Sequence, residues 1–172
     1  SRKYREVKKG GLGGTWSNYG PLGKLNIVPE NNFHPPAESN SDKLLRENVE
    51  KDFIVKAENC FRCAIACHKN IYSKEQDGSR GQFLAKFDYE PLNLLSTNLG
   101  IHDAGQAAEL VSLCDKYGMD SISLGATISY VLDYNSRNQD TKILNGAGFG
   151  DFEKVRELII QTGEGECQLI GQ

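Results

Sequence analysis

The sequence predicts a mainly α-helical, multihelical protein with an irregular N-terminal arm. Three observations carry this. Apolar residues recur at helical spacing in several segments that begin on an Asp or Ser and stop on a Gly. Stretches of strict apolar–polar alternation are weak throughout, so the sheet signal is low. The first forty residues are rich in Gly, Pro and Asn and lack periodicity.

Residues 1–40 therefore read as extended, looping chain, pinned to a core by Trp16 and Phe33. The stretch "GGLGG" does not match G-x-G-x-x-G and follows no clear strand, which argues against a dinucleotide site. "SNSDKLLRENVEKD" predicts a short helix near 41–50, capped by Ser41 or Ser39, with Leu44, Leu45 and Val49 on one side. Residues 70–88 look like a polar excursion turning at Gly78 or Gly81. The clearest helix spans 103–117: Asp103 and Gln106 resemble a capping box, Ala107, Leu110, Val111 and Cys114 repeat on one face, and Gly118 ends it. "DSISLGATISYVLDYN" is the next helix, with Ser123, Gly125 and Ala126 small enough for close packing. "NGAGFG" breaks the pattern, and a further helix over 151–162 starts at Asp151 and stops at Gly163.

At 172 residues, 38% hydrophobic and 25% charged, the chain can bury one ordinary core. A net charge of −3 gives no electrostatic case for nucleic acid or an anionic membrane. The basic start, "SRKYREVKKGG", reads as a solvated terminus. No apolar run reaches the length of a membrane span, and the N-terminus has no apolar core of a secretory signal. The five cysteines are odd in number and three lie in "CFRCAIACHK". That favours thiolate ligands in a reducing, cytoplasmic setting over a disulfide framework.

Cys60, Cys63 and Cys67 are spaced C-x₂-C-x₃-C, so that on a helical turn all three could face one centre. Three local thiolates plus one remote ligand suit a 4Fe–4S cluster. Zinc is the alternative, with His68 adjacent as a fourth ligand, although no second C-x₂-C is present. Unligated core thiols are the third reading. Cys114 lies on an apolar helix face and reads as a core thiol, while Cys167 is a remote candidate ligand. Glu90, in "FDYEPL", is either a buried acid–base group or a carboxylate satisfied by backbone N–H groups or an Arg. Asp115 and Asp120, flanking the "DKYGMD" turn, are either helix punctuation or acceptors for a ligand's N–H donors.

Taken in order, "GTWSNYGPLGKLNIVPENNF", "CFRCAIACHK", "FDYEPLNLLSTNLGI", "ELVSLCDKYGMDSISLG" and "GFGDFEKVRELIIQTGEGECQLIGQ" resemble the tungsten- or molybdenum-containing aldehyde ferredoxin oxidoreductase family along nearly the whole chain. The resemblance implies that residues 41–172 form a cluster- and pterin-binding helical domain. Cys60, Cys63 and Cys67 match three ligands of the family's 4Fe–4S cluster. Asp115, Gly118, Met119 and Asp120 match its D-x-x-G-L-[C/D] pterin motif, with Met119 in place of Leu, so that Asp115 and Asp120 would contact one tungstopterin or molybdopterin. Glu90 matches a glutamate near the metal, a candidate for proton transfer.

The implied reaction is oxidation of a small-molecule aldehyde to a carboxylic acid with water, with ferredoxin as electron acceptor. The family's fourth cluster cysteine, its second pterin motif and its β-rich domain have no counterpart here. The chain thus reads as a central piece of a larger enzyme, whose remaining domains are its partners, and the isolated piece is expected to be inactive. Some relatives bind a bridging metal through E-x-x-H. Glu109 fits the first position, but Ser112 stands where histidine would be needed, and that metal is not expected. His34, His68 and His102 fall outside the matched ligand positions.

Overall fold

The structure is a computed structural model and describes residues 14–34, 36–62, 67–167 and 169–170. Among them are six α-helices: α1 (Tyr19–Lys24), α2 (Arg46–Asp52), α3 (Tyr89–Leu94), α4 (Ala104–Tyr117), α5 (Ser121–Arg137) and α6 (Phe152–Gly163). The mainly helical prediction holds. A three-stranded antiparallel sheet, β1 (Phe53–Glu58), β2 (His68–Lys74) and β3 (Arg80–Phe87), lies between α2 and α3 in sequence.

The sheet corrects the reading of 70–88 as a polar excursion. Ile71 on β2 and Ala85 and Phe87 on β3 are buried, spaced at the two-residue period that aims them at one face. Lys69 and Asn70 dilute that alternation in the sequence. The turn falls at "QDGS", with Gly78 at φ 79° and the Asp77 carboxylate accepting from the Ser79 N–H at 2.9 Å.

The predicted punctuation is met at three helices. The Asp103 carboxylate accepts from the Gln106 N–H at 2.9 Å, Asp120 from Ser123 at 2.6 Å and Asp151 from Lys154 at 3.4 Å. The Ser39/Ser41 cap is not formed. Ser41–Leu44 is a 3₁₀ turn after Asn40, and α2 starts after Leu45 with no side-chain cap. The hydroxyl of Ser39 instead donates to Glu30 and bonds Ser41 at 2.8 Å.

One core joins all layers. α4 lays Ala107, Ala108, Leu110, Val111 and Cys114 against β3 and α6, whose own buried face carries Val155, Leu158 and Ile159. Each Val, Leu or Ile among them contributes about 1.5–3 kcal/mol on full burial. The N-terminal arm belongs to the same core. Trp16 is buried, donates from its indole N–H to the Leu44 carbonyl at 3.0 Å and meets Phe87 edge-on at 5.4 Å. Phe33, the other expected anchor, is 60% exposed; the arm is held there by backbone instead, with Asn31 and Asn32 N–H groups donating to the Thr97 and Asn98 carbonyls at 3.1 and 3.0 Å.

α5 crosses α3 at Gly125, where an added Cβ would lie 2.5 Å from the Leu94 carbonyl oxygen. Asn135 of α5 organises the "ILNGAGFG" loop, donating to the Ile143 and Ala147 carbonyls at 3.0 and 2.9 Å and accepting from the Ile143 N–H at 2.9 Å. No helix among the described residues is long and apolar enough to cross a membrane.

Gly125→Ala separates close packing from helix propensity. On an uncrowded helix the change would stabilise by about 1 kcal/mol. Against the Leu94 carbonyl it is expected to destabilise by about 1–3 kcal/mol, read as a lower urea midpoint. A raised midpoint would show that α3 and α5 are not in tight contact.

Candidate metal and cofactor site

β1 and β2 pair antiparallel from Phe53↔Ser73 to Glu58↔His68, so the cysteine segment is the connector of a β-hairpin. Cys60 lies two residues beyond the last pair on one side, and Cys67 one residue before it on the other. The ladder therefore brings both to the hairpin's neck, although they are seven apart in sequence. Cys60 is exposed, with its Sγ 3.9 Å from His68 Nδ1, and Cys67 is half-buried.

Two contacts fix the Cys67 end. The Lys69 ammonium, only 1% exposed, donates to the Cys67 carbonyl at 2.9 Å. Gly14, at φ 105°, brings its backbone so close to that carbonyl that any Cβ would collide with it. Burial, and then the nearby Arg46 charge, lower the Lys69 pKa.

The third predicted ligand, Cys63, lies outside the described residues, and among those described no three His, Cys, Asp or Glu side chains gather to hold a metal. The donors present nonetheless fit the chemistry. Two thiols share one loop mouth, in free rather than disulfide form.

The predicted pterin motif forms the corner between α4 and α5. Gly118 takes the left-handed conformation at φ 66°, its N–H donates to Asp115 O at 3.2 Å, and the Met119 N–H reaches back to Cys114 O at 2.9 Å. This is a Schellman stop. Asp115 and Asp120 are both exposed on either side of it, and Met119 packs partly against the core. Asp120 caps α5; the Ser123 backbone N–H, and then its hydroxyl, hold the carboxyl below its usual range. Asp115 forms no side-chain hydrogen bond among the described residues and remains a free acceptor. Cys114, just before Asp115, is fully buried, its thiol pushed up to about 12 by burial and then by the charges of Asp115 and Asp120. It is a core thiol, as its helix face predicts.

Glu90 sits in the first turn of α3 and is exposed. Within this chain Glu90 is not the buried group of the first sequence reading: Leu92 and Leu95 of the same segment point into the core, and Glu90 faces out. Glu109, in the E-x-x-H position, pairs with Arg156 of α6 and so ties two helices together.

Sequence reasoning missed the buried Glu30. It is 2% exposed and accepts from Ser39 while lying 3.2 Å from His102 Nε2. Its partners come from distant parts of the chain, and no local pattern marks it. Cys167, the remote candidate ligand, is buried.

Comparison with known proteins decides the family. A family model described as aldehyde ferredoxin oxidoreductase, domains 2 and 3, matches residues 4–171. The chain belongs to the aldehyde ferredoxin oxidoreductase family. It is 28% identical over 142 residues to the tungsten-containing aldehyde ferredoxin oxidoreductase of Pyrococcus abyssi, covering 78% of this chain and 23% of that protein. The protein of the same name in Pyrococcus horikoshii is 28% identical over 131 residues, 73% of this chain and 21% of its own. That of Thermococcus kodakarensis is 25% identical over 127 residues, 70% and 20%. The chain thus spans about a fifth of the length of the relatives it matches.

Asp120 gives this corner a pH signature. Its pKa is depressed in the folded state, so its contribution is complete above the unfolded-state value and is lost as pH falls through the folded one. Between about pH 5 and pH 3, the urea midpoint of Asp120→Asn is expected to fall less than that of the parent. Parallel curves would show that the carboxylate does not carry the cap.

Proposed function

We propose that this chain is the part of a larger oxidoreductase that supplies three ligands of a 4Fe–4S cluster and one half of a pterin cradle, in an enzyme that oxidises aldehydes to carboxylic acids. What carries the reading is family membership over residues 4–171, together with the placement of the cysteine segment at the neck of a hairpin. Cys60, Cys63 and Cys67 would hold the cluster, and Asp115 and Asp120 would accept N–H donors from a pterin's pyrimidine edge across the exposed Gly118 turn. A tungstopterin or molybdopterin, when bound, supplies the two-electron oxidation.

The overall reaction consumes an aldehyde and water. It yields the acid, two protons and two electrons, the latter leaving singly to ferredoxin. Glu90 is assigned the proton taken from water. Its exposure supports access from a pocket completed by further chain, since the relatives are four to five times as long as the matched segment. The approach of His68 to Cys60 favours one alternative, a zinc-stabilised binding module without catalysis. Family membership weighs against it.

The test is Glu90→Gln in the complete enzyme, with aldehyde-dependent viologen reduction compared at equal iron and tungsten or molybdenum content. Loss of the base is expected to lower kcat by ~10²–10⁴-fold with a smaller change in KM. Parental kcat at equal metal loading would remove Glu90 from the chemistry. Absence of aldehyde-dependent reduction in the fully loaded parent would overturn the functional reading itself.

A further inference from the structure

Of the three histidines, His34 stands by Arg137 and His102 by Glu30, while His68 reaches a predicted cluster ligand. The β1–β2 ladder is the reason. Its last pair is Glu58↔His68, and Cys60 follows Glu58 by two residues, one full period of a strand. Diagonal neighbours of that kind share a face and lie within reach of an imidazole. His68 Nδ1 accordingly stands 3.9 Å from Cys60 Sγ, at the outer reach of a hydrogen bond to sulfur. Glu58, directly opposite His68, is turned along the strand and accepts from the Tyr72 hydroxyl at 3.0 Å.

Neighbouring residues of a strand face opposite sides, so Lys69 turns inward with Ile71 and is buried. It holds the Cys67 carbonyl from within, while His68 meets the exposed Cys60 from outside. The first two residues of β2 thus address both ends of the cysteine segment. A strand places such side chains more firmly than a loop does.

His68 falls outside the ligand positions of the family resemblance. An imidazole that touches a metal ligand without being one acts through that ligand. A 4Fe–4S cluster that accepts one electron gains one negative charge, shared over its sulfurs. An N–H group donating to a thiolate therefore favours the reduced cluster over the oxidised one and raises its potential. No proton moves in this step, because the neutral Nδ1–H tautomer and the imidazolium both donate.

We propose that His68 donates its Nδ1–H to the Cys60 sulfur and so sets the reduction potential of the cluster, an inference that rests on the proposed cluster itself. His68 is then a positioning residue for electron transfer and not a ligand.

The test uses the longest natural chain containing this sequence, purified without oxygen. Iron content is measured, and the potential is read at one pH by a redox titration followed by electron paramagnetic resonance. His68→Val removes the donor and keeps a residue suited to a strand. His68→Asn returns an N–H near the Nδ1 position. At parental iron content, His68→Val is expected to lower the potential by the equivalent of about a tenfold change in the ratio of reduced to oxidised cluster, 59 mV for one electron. His68→Asn is expected to recover part of that shift. A parental potential in His68→Val overturns the proposal and leaves the cluster in place. Loss of iron from His68→Val that still shows the parental circular dichroism also overturns it, because His68 would then be a ligand. Should His68→Val not fold, the reduced parent labelled with nitrogen-15 histidine decides alone. A weak nitrogen coupling to the cluster is expected; no coupling, or the strong coupling of a bound nitrogen, overturns the proposal. A parent without iron overturns the cluster assignment, and this proposal with it.

Discussion

The ladder between β1 and β2 is the constraint on which the candidate metal site depends. Antiparallel pairing that ends at Glu58↔His68 makes the residues on either side neighbours in space, whatever the intervening loop does. A one-residue slip would turn Ile71 out of the core and Lys69 with it. Because Ile71 is fully buried beside Ala85 and Phe87, the register is held by the hydrophobic face and not by the loop.

The same face links the hairpin to the second half of the site. β3 packs on α4, and α4 ends in the Gly118 stop with an exposed carboxylate on either side. A two-layer unit thus presents thiols at one end of a strand pair and carboxylates at the end of the helix that covers it. The arm strengthens this unit. Trp16 reaches Phe87 and the Leu44 carbonyl, Thr15 Oγ1 accepts from the Tyr89 N–H at 2.9 Å, and Gly14 lies against Cys67.

Much of this was legible in the sequence because the signals were local. Asp103, Asp120 and Asp151 as caps, Gly118 as a stop, Gly125 as a close-packing residue and Cys114 as a core thiol each follow from neighbours within a turn or from one helix face. The hairpin was harder to read, since Lys69 occupies an inward position and masks the two-residue period. The Asp77-Gly78 turn was present but sat between strands too polar to announce themselves. Ser39 is not the cap because the turn starts one residue later, after Asn40; the Ser39 hydroxyl donates to Glu30, nine residues earlier, and accepts from the Ser41 N–H at 3.1 Å. Glu90 is exposed within this chain although its segment is apolar, because Leu92 and Leu95 turn to the core. Phe33 was misjudged because backbone bonds to Thr97 and Asn98, not its ring, dock the arm.

Metal content at the cysteine segment tests the proposed cluster most directly. Iron and zinc content, with X-ray absorption at both edges, should be measured on protein purified without oxygen from the longest natural chain containing this sequence. The parent is expected to hold iron with Fe–S distances of about 2.3 Å, the length of thiolate–metal bonds. Paired Cys60→Ser and Cys67→Ser changes are expected to abolish that iron. Zinc in place of iron, or iron that survives both substitutions, would contradict the assignment of this hairpin neck as a cluster site.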